Sequence, residues 1–200
     1  MTTPAEASVA KASDDELARR AAAGEDRAFA ELVRRHKDGL YRLLRRYTGD
    51  PEDAYEAAHE AFIAAWSALP RYDPSRPFGA WLRVIAINKA RDRGRRALVR
   101  RLLFGSRPLE ESAAMTAADP AGAADQMLID RQRTQALDRA IAALPPQLKA
   151  PLLLTAFEGL SQQAAGDILG VTAKTVETRV YRARKLLAAR LDADLRRASA

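Results

Sequence analysis

Apolar residues recur at spacings of three and four along most of the 200-residue chain, and no stretch alternates convincingly at period two. Ala, Leu, Arg and Glu, which favour helices, dominate these stretches. The pattern predicts an all-α fold: two small helical domains joined by a flexible acidic linker, the second a helix-turn-helix domain. Ser13, Asp50 with Pro51, and Ser161 are typical helix starts, so helices are expected to begin there.

Breaks in the pattern divide the chain into segments. Proline-rich residues 70–78 predict a loop, and residues 105–123 are rich in Gly, Pro, Ser and Ala with mostly acidic charges, which indicates a linker. We expect a disordered N-terminal tail at 1–12, a first domain at 13–104, the interdomain linker at 105–123 and a second domain at 124–200.

The strongest local motif lies in the last 45 residues. Ser161 is expected to cap a short helix, Gly170 to provide a turn, and Thr172 to cap a second helix. Gly166 provides the small residue needed where the two helices cross. Residues 173–197 hold eight basic and three acidic side chains. A short helix, a glycine turn and a basic helix favour DNA reading over the alternative, a helical hairpin with a solvated charged face.

A second basic segment ends the first domain. Its helix is expected to start near Phe78, with an apolar stripe of Trp81, Val84 and Ile85 and with Asn88 on the same face. A buried amide needs hydrogen-bond partners, so Asn88 is either structural or faces a ligand. Beyond it, from residue 91 to 107, seven Arg stand against one Asp.

Aromatic residues beside this basic helix suit single-stranded bases, which stack on exposed rings while Arg holds phosphates. Tyr72 and Phe78 lie in or next to the predicted loop, and Trp81 follows on the helix. The alternative places Phe78 and Trp81 in the core and leaves the Arg run solvated. For Trp81 the core position is favoured, because it lies on the apolar stripe. Asp92 could simply pair with an Arg one turn further on.

Net charge supports an acidic partner. The chain carries +7 at pH 7, and 27 of its 33 basic residues are Arg. Arginine matches phosphates and guanine edges with a rigid donor fork. GC-rich codon usage explains part of the ratio, but the sign of the charge favours nucleic acid.

Several function classes are excluded or disfavoured. The chain has no cysteine and only two histidines, so disulfides, thiolate nucleophiles and cysteine-based zinc sites are excluded. Glu56, His59 and Glu60 form a solvated helix face more readily than a metal site. No catalytic set, phosphate loop, secretory signal or membrane-length apolar run is present. We expect a cytoplasmic protein that is not an enzyme and has no metal or cofactor.

These motifs together resemble the extracytoplasmic-function (ECF) sigma factors of bacterial RNA polymerase, over residues 13–104 and 124–192. The matching segments of the first domain are Gly24-Glu25-Asp26-x-x-Phe29-x-x-Leu32, Asp50-Pro51-Glu52-Asp53-Ala54, Arg71-Tyr72-Asp73, Phe78-Gly79-Ala80-Trp81-Leu82, Ile85-Ala86-x-Asn88 and Asp92-x-x-Arg95-Arg96. Those of the second domain are Leu144-Pro145, Glu158-Gly159-Leu160-Ser161, Leu169-Gly170-Val171 and Thr175-Val176-x-x-Arg179-x-x-Arg182-Ala183-Arg184. No single motif is specific, but the set is.

The resemblance implies an initiation factor with three binding surfaces. Binding to the beta and beta-prime subunits of core polymerase is implied for Leu43, Glu52, Asp53, Glu56, His59 and Phe62. Recognition and melting of the −10 element is implied for Tyr72, Phe78, Trp81, Asn88, Arg91, Asp92, Arg95 and Arg96. Recognition of the −35 element is implied for Thr172, Lys174, Thr175, Glu177, Thr178, Tyr181, Arg182 and Lys185. The family also implies a stress- or signal-responsive regulon and an anti-sigma factor that holds the protein inactive, in some cases at the membrane.

The sequence departs from the family pattern at a few positions. Tyr55 and His59 replace residues usual in the polymerase-binding helix, Ala164 and Gly166 replace a usual Glu and Ala, and Glu177 stands where a basic residue is common. Glu177 either accepts from a cytosine amino group or pairs with neighbours of Arg179. An alternative function is a helix-turn-helix regulator that acts without being a polymerase subunit. It explains residues 144–195 but not the Asn88–Arg96 pattern.

Overall fold

The computed structural model describes residues 9, 11–104 and 134–198, and within them every regular element is helical. The all-α prediction is therefore confirmed. The helices are α1 (Asp14–Ala22), α2 (Asp26–Thr48), α3 (Pro51–Ala68), a 3-10 turn (Leu69–Arg71), α4 (Phe78–Phe104), α5 (134–142), α6 (Pro146–Leu152) with a π turn (Leu153–Phe157), α7 (Gln162–Leu169) and α8 (Ala173–Ala198). The predicted linker at 105–123 and most of the predicted tail at 1–12 lie outside the described residues.

Residues 11–104, the N-terminal unit, form a bundle in which α3 packs between α2 and α4 and α1 crosses both α2 and α4. Small side chains on one face of α3 let its neighbours approach closely. The buried residues of that face are Ala54, Ala57, Ala58, Ala61 and Ala65. The larger apolar side chains come from the facing helices, where Leu32, Leu44 and Leu82 are almost completely buried.

Local signals start these helices as the sequence predicts, and a glycine ends α2. Ser13 Oγ accepts a hydrogen bond from the Glu16 amide at 3.2 Å, and Asp50 Oδ1 accepts one from the Asp53 amide at 2.8 Å. Each bond satisfies an amide that lacks an intrahelical partner. Gly49 ends α2 with φ +81°, a conformation that favours glycine.

Residues 134–198, the C-terminal unit, pack α6 and α7 against the long α8. Pro151 lies inside the α6 segment, and a π turn follows directly, at Leu153–Phe157. Because proline lacks the amide hydrogen that a regular helix bonds, the helix is distorted here. The spacing of apolar residues predicts one helix face that includes Met127, Leu137 and Ile141, and of these Met127 lies outside the described residues.

The two units pack against each other, which the sequence pattern did not predict. The ammonium group of Lys149 in α6 donates hydrogen bonds to the Tyr47 carbonyl of α2 at 2.9 Å and to the Ala142 carbonyl of α5 at 2.7 Å. Arg83 of α4 pairs with Glu158, with Nη2 and Oε2 2.7 Å apart. The buried residues of both units consequently form one continuous apolar cluster.

Candidate nucleic-acid and protein interfaces

The helix-turn-helix follows its predicted geometry. Ser161 Oγ accepts from the Ala164 amide at 3.1 Å, Gly170 adopts φ +65°, and Thr172 Oγ1 accepts from the Thr175 amide at 3.2 Å. A Cβ on Gly166 would lie 2.6 Å from the Val171 carbonyl oxygen, closer than side-chain atoms approach. The prediction of a tight crossing at Gly166 is therefore confirmed.

Helix α8 separates a buried apolar face from an exposed polar one. The buried residues are Val176, Val180, Ala183 and Leu187. Leu191, which lies on the same face, is half-buried. Of the residues predicted for the −35 element, Thr175 is half-buried, and the exposed ones are Thr172, Lys174, Glu177, Thr178, Tyr181, Arg182 and Lys185. The face thus offers hydroxyls, cations and one exposed aromatic ring along four turns.

Two contacts organise the start of this polar face. Glu177 Oε2 lies 2.8 Å from the Lys174 ammonium, so Glu177 pairs with Lys174 and not with neighbours of Arg179. Thr178 donates its hydroxyl to the Lys174 carbonyl at 2.9 Å. Both Glu177 and Lys174 side chains are at least half exposed, so this ion pair contributes little to stability and can be exchanged for contacts to DNA.

Helix α4 differs from its predicted orientation. The residues buried along it are Phe78, Leu82, Ala86, Ile87 and Ala90. Trp81, Val84 and Ile85, the stripe predicted to be buried, are only half-buried, and Asn88 is exposed. The prediction of a buried Asn88 amide was wrong, because the helix has two adjacent apolar stripes and the other one faces the core. The Trp81–Asn88 stripe instead continues into the exposed basic residues.

An aromatic cluster joins the loop at 72–77 to the start of α4. The ring centroids of Tyr72 and Trp81 are 5.1 Å apart and those of Phe78 and Trp81 are 5.6 Å apart. Tyr72 donates its hydroxyl to Asp15 Oδ1 at 3.0 Å or to the Arg76 carbonyl at 2.6 Å. Burial, helped by the hydrogen bond to Asp15, raises the pKa of Tyr72 well above its ordinary value.

Phe78 is 1% exposed, so it cannot contact DNA as the sequence analysis expected. Its ring lies beneath Tyr72 and Trp81 and fixes their positions. Core placement is therefore right for Phe78, whereas Trp81, for which it was favoured, is only half-buried at the edge of the core.

The basic half of α4 mixes exposed and structural arginines. Arg91, Arg95 and Arg96 are exposed. Asp92 is exposed too, and it pairs with Arg95 at 3.4 Å. Arg93 has a structural contact that the sequence analysis missed. It joins α4 to α3 through Asp53 at 3.0 Å and Glu60 at 2.9 Å.

The residues predicted to bind polymerase lie mainly on one side of α3. Glu52, Glu56 and His59 are exposed and Phe62 is half-buried. Leu43 is 2% exposed, so the prediction that it binds polymerase was wrong for this conformation. It lies on the side of α2 that faces the hydrophobic core. Asp53 is exposed, but it is also engaged by Arg93.

The same side of α3 carries large apolar residues that the sequence analysis missed. Tyr55 is 65% exposed, Ile63 55% and Trp66 39%. Trp66 also packs on Phe29 of α2, with ring centroids 4.8 Å apart. Residues three, four, seven, eight and eleven apart share a helix face. The sequence pattern that could have identified this surface is a helix with alanines on one face and aromatic and branched residues on the other.

No described helix is long and apolar enough to span a membrane. Nor do the described residues contain a cluster of three metal-ligating side chains. Glu60, considered above as part of such a cluster, instead pairs with Arg93.

Comparison with known proteins agrees with the division of the chain into an N-terminal and a C-terminal helical unit. The family model for sigma-70 region 2 matches residues 32–99 and that for sigma-70 region 4 matches residues 134–187. The RNA polymerase sigma factor CnrH of Cupriavidus metallidurans is 40% identical over 91% of this chain and 96% of its own length. NccH of Alcaligenes xylosoxydans xylosoxydans, also an RNA polymerase sigma factor, is 36% identical over 89% and 94%.

Solved structures support the same assignment. CnrH in complex with the cytosolic domain of CnrY superimposes with a TM-score of 0.65 and 34% identity, covering 90% of this chain and 98% of that one. The sigma factor RpoE of Bartonella quintana, solved with the anti-sigma factor NepR, shares the fold with a TM-score of 0.62 at 22% identity, over 83% of this chain and 98% of that one.

The chain is a bacterial transcription initiation factor in which region 2 lies in the N-terminal unit and region 4 in the C-terminal unit. It belongs to the extracytoplasmic-function sigma factors, which bind core RNA polymerase and direct it to −35 and −10 promoter elements. A regulator that acts without polymerase leaves the region 2 match over residues 32–99 unexplained.

Proposed function

We propose that α3, α4 and α8 of this sigma factor each carry out one of its three binding functions. The exposed side of α3 binds core polymerase, the exposed side of α4 captures the melted −10 element, and the polar face of α8 reads the −35 element. The observation that carries the proposal is shared by both DNA helices. Each exposes most of the polar side chains predicted for DNA while its opposite face is buried in the core.

Helix α8 has the features of a major-groove reader. Its N-terminal end carries Thr172 and Lys174, which suit phosphates. Tyr181 and Arg182 lie two turns further on and are exposed, so they suit base edges or methyl groups. Glu177, once released from Lys174, can accept a hydrogen bond from a cytosine amino group.

Helix α4 suits unpaired bases. Trp81 and Tyr72 present partly exposed rings, on which bases flipped out of the duplex can stack. Asn88 follows two turns beyond Trp81 and can read a base edge. Arg91 and Arg95 extend the same side and suit the backbone of the displaced strand, together with Asp92 and Arg96.

The polymerase surface on α3 combines apolar area with acidic charge. Tyr55, Ile63 and Trp66 supply exposed apolar side chains. Glu52 and Glu56 lie beside them and also complement a basic partner. Large aromatic residues with a polar rim are typical of protein interfaces.

Two of the similar solved structures suggest how the activity of this sigma factor is regulated. CnrH was solved with the cytosolic domain of CnrY, and the Bartonella sigma factor with the anti-sigma factor NepR. We infer that an anti-sigma factor also holds this chain inactive until a stress or another signal releases it, and that the chain acts in the cytoplasm, held in some states at the membrane by that partner. As an initiation factor it needs neither a catalytic site nor a cofactor of its own.

The test is transcription reconstituted from purified protein and bacterial core polymerase, with binding measured by size-exclusion chromatography. Glu56→Lys combined with His59→Glu should abolish co-elution. Glu56 is a better target than Asp53, because Asp53 also pairs with Arg93. Asp38→Arg, an exposed site on α2, is the matched control and should co-elute normally.

The regulator alternative gives the opposite result. Such a protein would bind duplex promoter DNA tightly by itself and would not co-elute with core polymerase. The sigma-factor proposal expects weak binding of the isolated protein to promoters and strong binding only with polymerase.

A further inference from the structure

Helix α1 is joined to the rest of the N-terminal unit by two adjacent carboxylates that contact different neighbours. Asp14 Oδ1 accepts a hydrogen bond from Arg35 of α2 at 3.0 Å, and its Oδ2 lies 2.7 Å from His36 Nε2. Asp15 Oδ1 instead lies 3.0 Å from the Tyr72 hydroxyl, which can donate to it. Asp14 therefore fixes α1 on α2, whereas Asp15 connects α1 to the loop that precedes α4.

Asp15 also interacts with the start of α4. The first amides of a helix have no intrahelical partner, and a polar side chain at the helix start usually accepts from some of them. The residue before α4 is Pro77, whose side chain has no acceptor. The Phe78 amide donates to Asp15 Oδ1 at 3.4 Å, and a carboxylate is stabilising beside a helix N-terminus. A residue 63 positions away in the chain thus contributes to the N-terminal cap of α4.

The loop at 72–77 is ordered by its own residues as well. Ser75 donates its amide to Asp73 Oδ1 at 2.9 Å and its hydroxyl to Asp73 Oδ2 at 2.8 Å. The Arg76 amide donates to the Asp73 carbonyl at 3.1 Å. The loop therefore forms a defined turn, and Asp15 ties this turn to the neighbouring helix.

Both groups that Asp15 contacts belong to the aromatic cluster of the proposed −10 surface. The Trp81 ring packs on each of them, with its centroid 5.1 Å from that of Tyr72 and 5.6 Å from that of Phe78. The Tyr72 and Phe78 rings meet edge to face, with centroids 5.8 Å apart. Loss of the Asp15 carboxylate would therefore free the Tyr72 ring and loosen the support of Trp81.

The hydroxyl of Tyr72 is turned towards the protein. A hydroxyl has one hydrogen to donate, and the Asp15 carboxylate and the Arg76 carbonyl both lie within reach of it. That hydrogen is therefore not available to a base, and Tyr72 offers the face of its ring. Stacking on a ring tolerates any base, but the ring has to be held in place, because ordering a mobile side chain during binding costs affinity.

We propose that Asp15 is a positioning residue for −10 recognition. It holds Tyr72 and the first turn of α4 in the arrangement that receives an unpaired base, without contacting DNA itself. This inference rests on the proposed function of α4, because the arrangement matters for initiation only if the aromatic cluster receives the base.

The main experiment compares two templates with the assembled holoenzyme. One is a duplex promoter, and the other is the same promoter with a mismatched, already open −10 region. Asp15→Ala should slow opening of the duplex about tenfold, as expected when a hydrogen bond to a charged group is lost. Transcription from the open template at saturating holoenzyme should change by less than about twofold, because opening is no longer needed. Asp15→Asn keeps an oxygen acceptor and should open the duplex within about twofold of the wild-type rate.

Two further variants show whether the effect passes through the tyrosine hydroxyl. Tyr72→Phe should also slow opening, and the double variant with Asp15→Ala should be no slower than Asp15→Ala alone, because both changes remove the same hydrogen bond. Asp14→Ala is the matched control, since it removes the neighbouring carboxylate that contacts α2. It should lower the Tm and leave the ratio of activities on the two templates unchanged.

The position of Trp81 can be followed without polymerase. The chain has two tryptophans, so in a Trp66→Phe background the tryptophan fluorescence comes from Trp81 alone. Asp15→Ala should make Trp81 more accessible to quenching by acrylamide, whereas Asp14→Ala should not.

The outcomes separate this proposal from the proposed function. Equal slowing on both templates would make Asp15 a structural residue and overturn the proposal. Unchanged duplex opening or unchanged Trp81 quenching in Asp15→Ala would overturn it too, as would additive effects of Asp15→Ala and Tyr72→Phe. If instead the role proposed for α4 fails, Trp81→Ala will open the duplex at the wild-type rate, although Trp81 quenching will still respond to Asp15→Ala.

Discussion

Helices α4 and α8 are both proposed to contact promoter DNA, yet they are held in the fold differently. Helix α8 buries one stripe, which includes Val176 and Val180, and leaves most of the other side chains described along it exposed. Helix α4 packs against α1, α2, α3 and α7, and Arg93 within its basic half is a structural residue. The surface of α8 can therefore change without affecting the fold, whereas changes in α4 affect folding and binding together.

The largest loss of stability should follow substitution of Phe78, which lies in the core and supports the proposed −10 surface of α4. Phe78→Ala removes a buried ring beneath Tyr72 and Trp81 and should lower the free energy of unfolding by about 3–5 kcal/mol. Urea unfolding followed by circular dichroism measures it. Tyr181→Ala, on the exposed face of α8, should stay within about 0.5 kcal/mol of the wild type. Comparable losses for both would contradict the difference drawn between the two helices.

The next prediction distinguishes the two DNA-binding surfaces by the step of initiation in which each acts, initial promoter binding or strand opening. Arg182→Ala should weaken the binding free energy of the initial promoter complex by about 1–3 kcal/mol. Asn88→Ala should raise the activation free energy of strand opening by about 1–3 kcal/mol. Gel-shift and permanganate-reactivity assays with the assembled holoenzyme measure the two steps. The roles assigned to α4 and α8 would have to be exchanged if Arg182→Ala impaired only opening.

Two helical glycines make a matched pair. A Cβ at Gly94 of α4 meets nothing within 4 Å, whereas one at Gly166 meets the Val171 carbonyl at 2.6 Å. Gly94→Ala should stabilise the protein by about 1 kcal/mol through helix propensity. Gly166→Ala should destabilise it by about 1–2 kcal/mol, since the backbone must shift. Thermal melts compare them, and equal shifts would show that the crossing in the helix-turn-helix is looser than its geometry indicates.

Acid should act on the N-terminal unit through Glu31. Hydrogen bonds from Arg34 and Arg35 lower the pKa of Glu31 to about 2. Because the folded pKa lies below the ordinary value near 4.5, the stabilisation is complete above pH 4.5 and is lost as the pH falls towards 2. Glu31→Gln should therefore cost about 1 kcal/mol at pH 7 and progressively less below pH 4.5. Unfolding curves across that range check it, and a pH-independent difference would exclude this origin.

The smallest effect on stability is expected at Glu177. Its ion pair with Lys174 is largely exposed, so Glu177→Gln should change the free energy of unfolding by less than about 0.5 kcal/mol. The same variant should alter the preference for a cytosine in the −35 element, measured with a library of promoter variants. A larger change in stability than in promoter preference would make Glu177 a structural residue.

The amino-acid sequence by itself determined the helical class, the helix starts at Ser13, Asp50 and Ser161, and the polar face of α8. These features depend on local capping and on the spacing of apolar residues along one helix, which neighbours in sequence specify. The tight turn beside Gly166 belongs to the same group, because its residues are close in the chain.

Only the tertiary structure decided which stripe of α4 is buried, that Phe78 and Leu43 are core residues, and that Lys149 joins the two units. Helix α4 offers two adjacent apolar stripes, and periodicity alone cannot choose between them when several helices compete for contact. Lys149 and Tyr47 are 102 positions apart. No local pattern encodes a contact of that kind, because it depends on how the assembled units fit together.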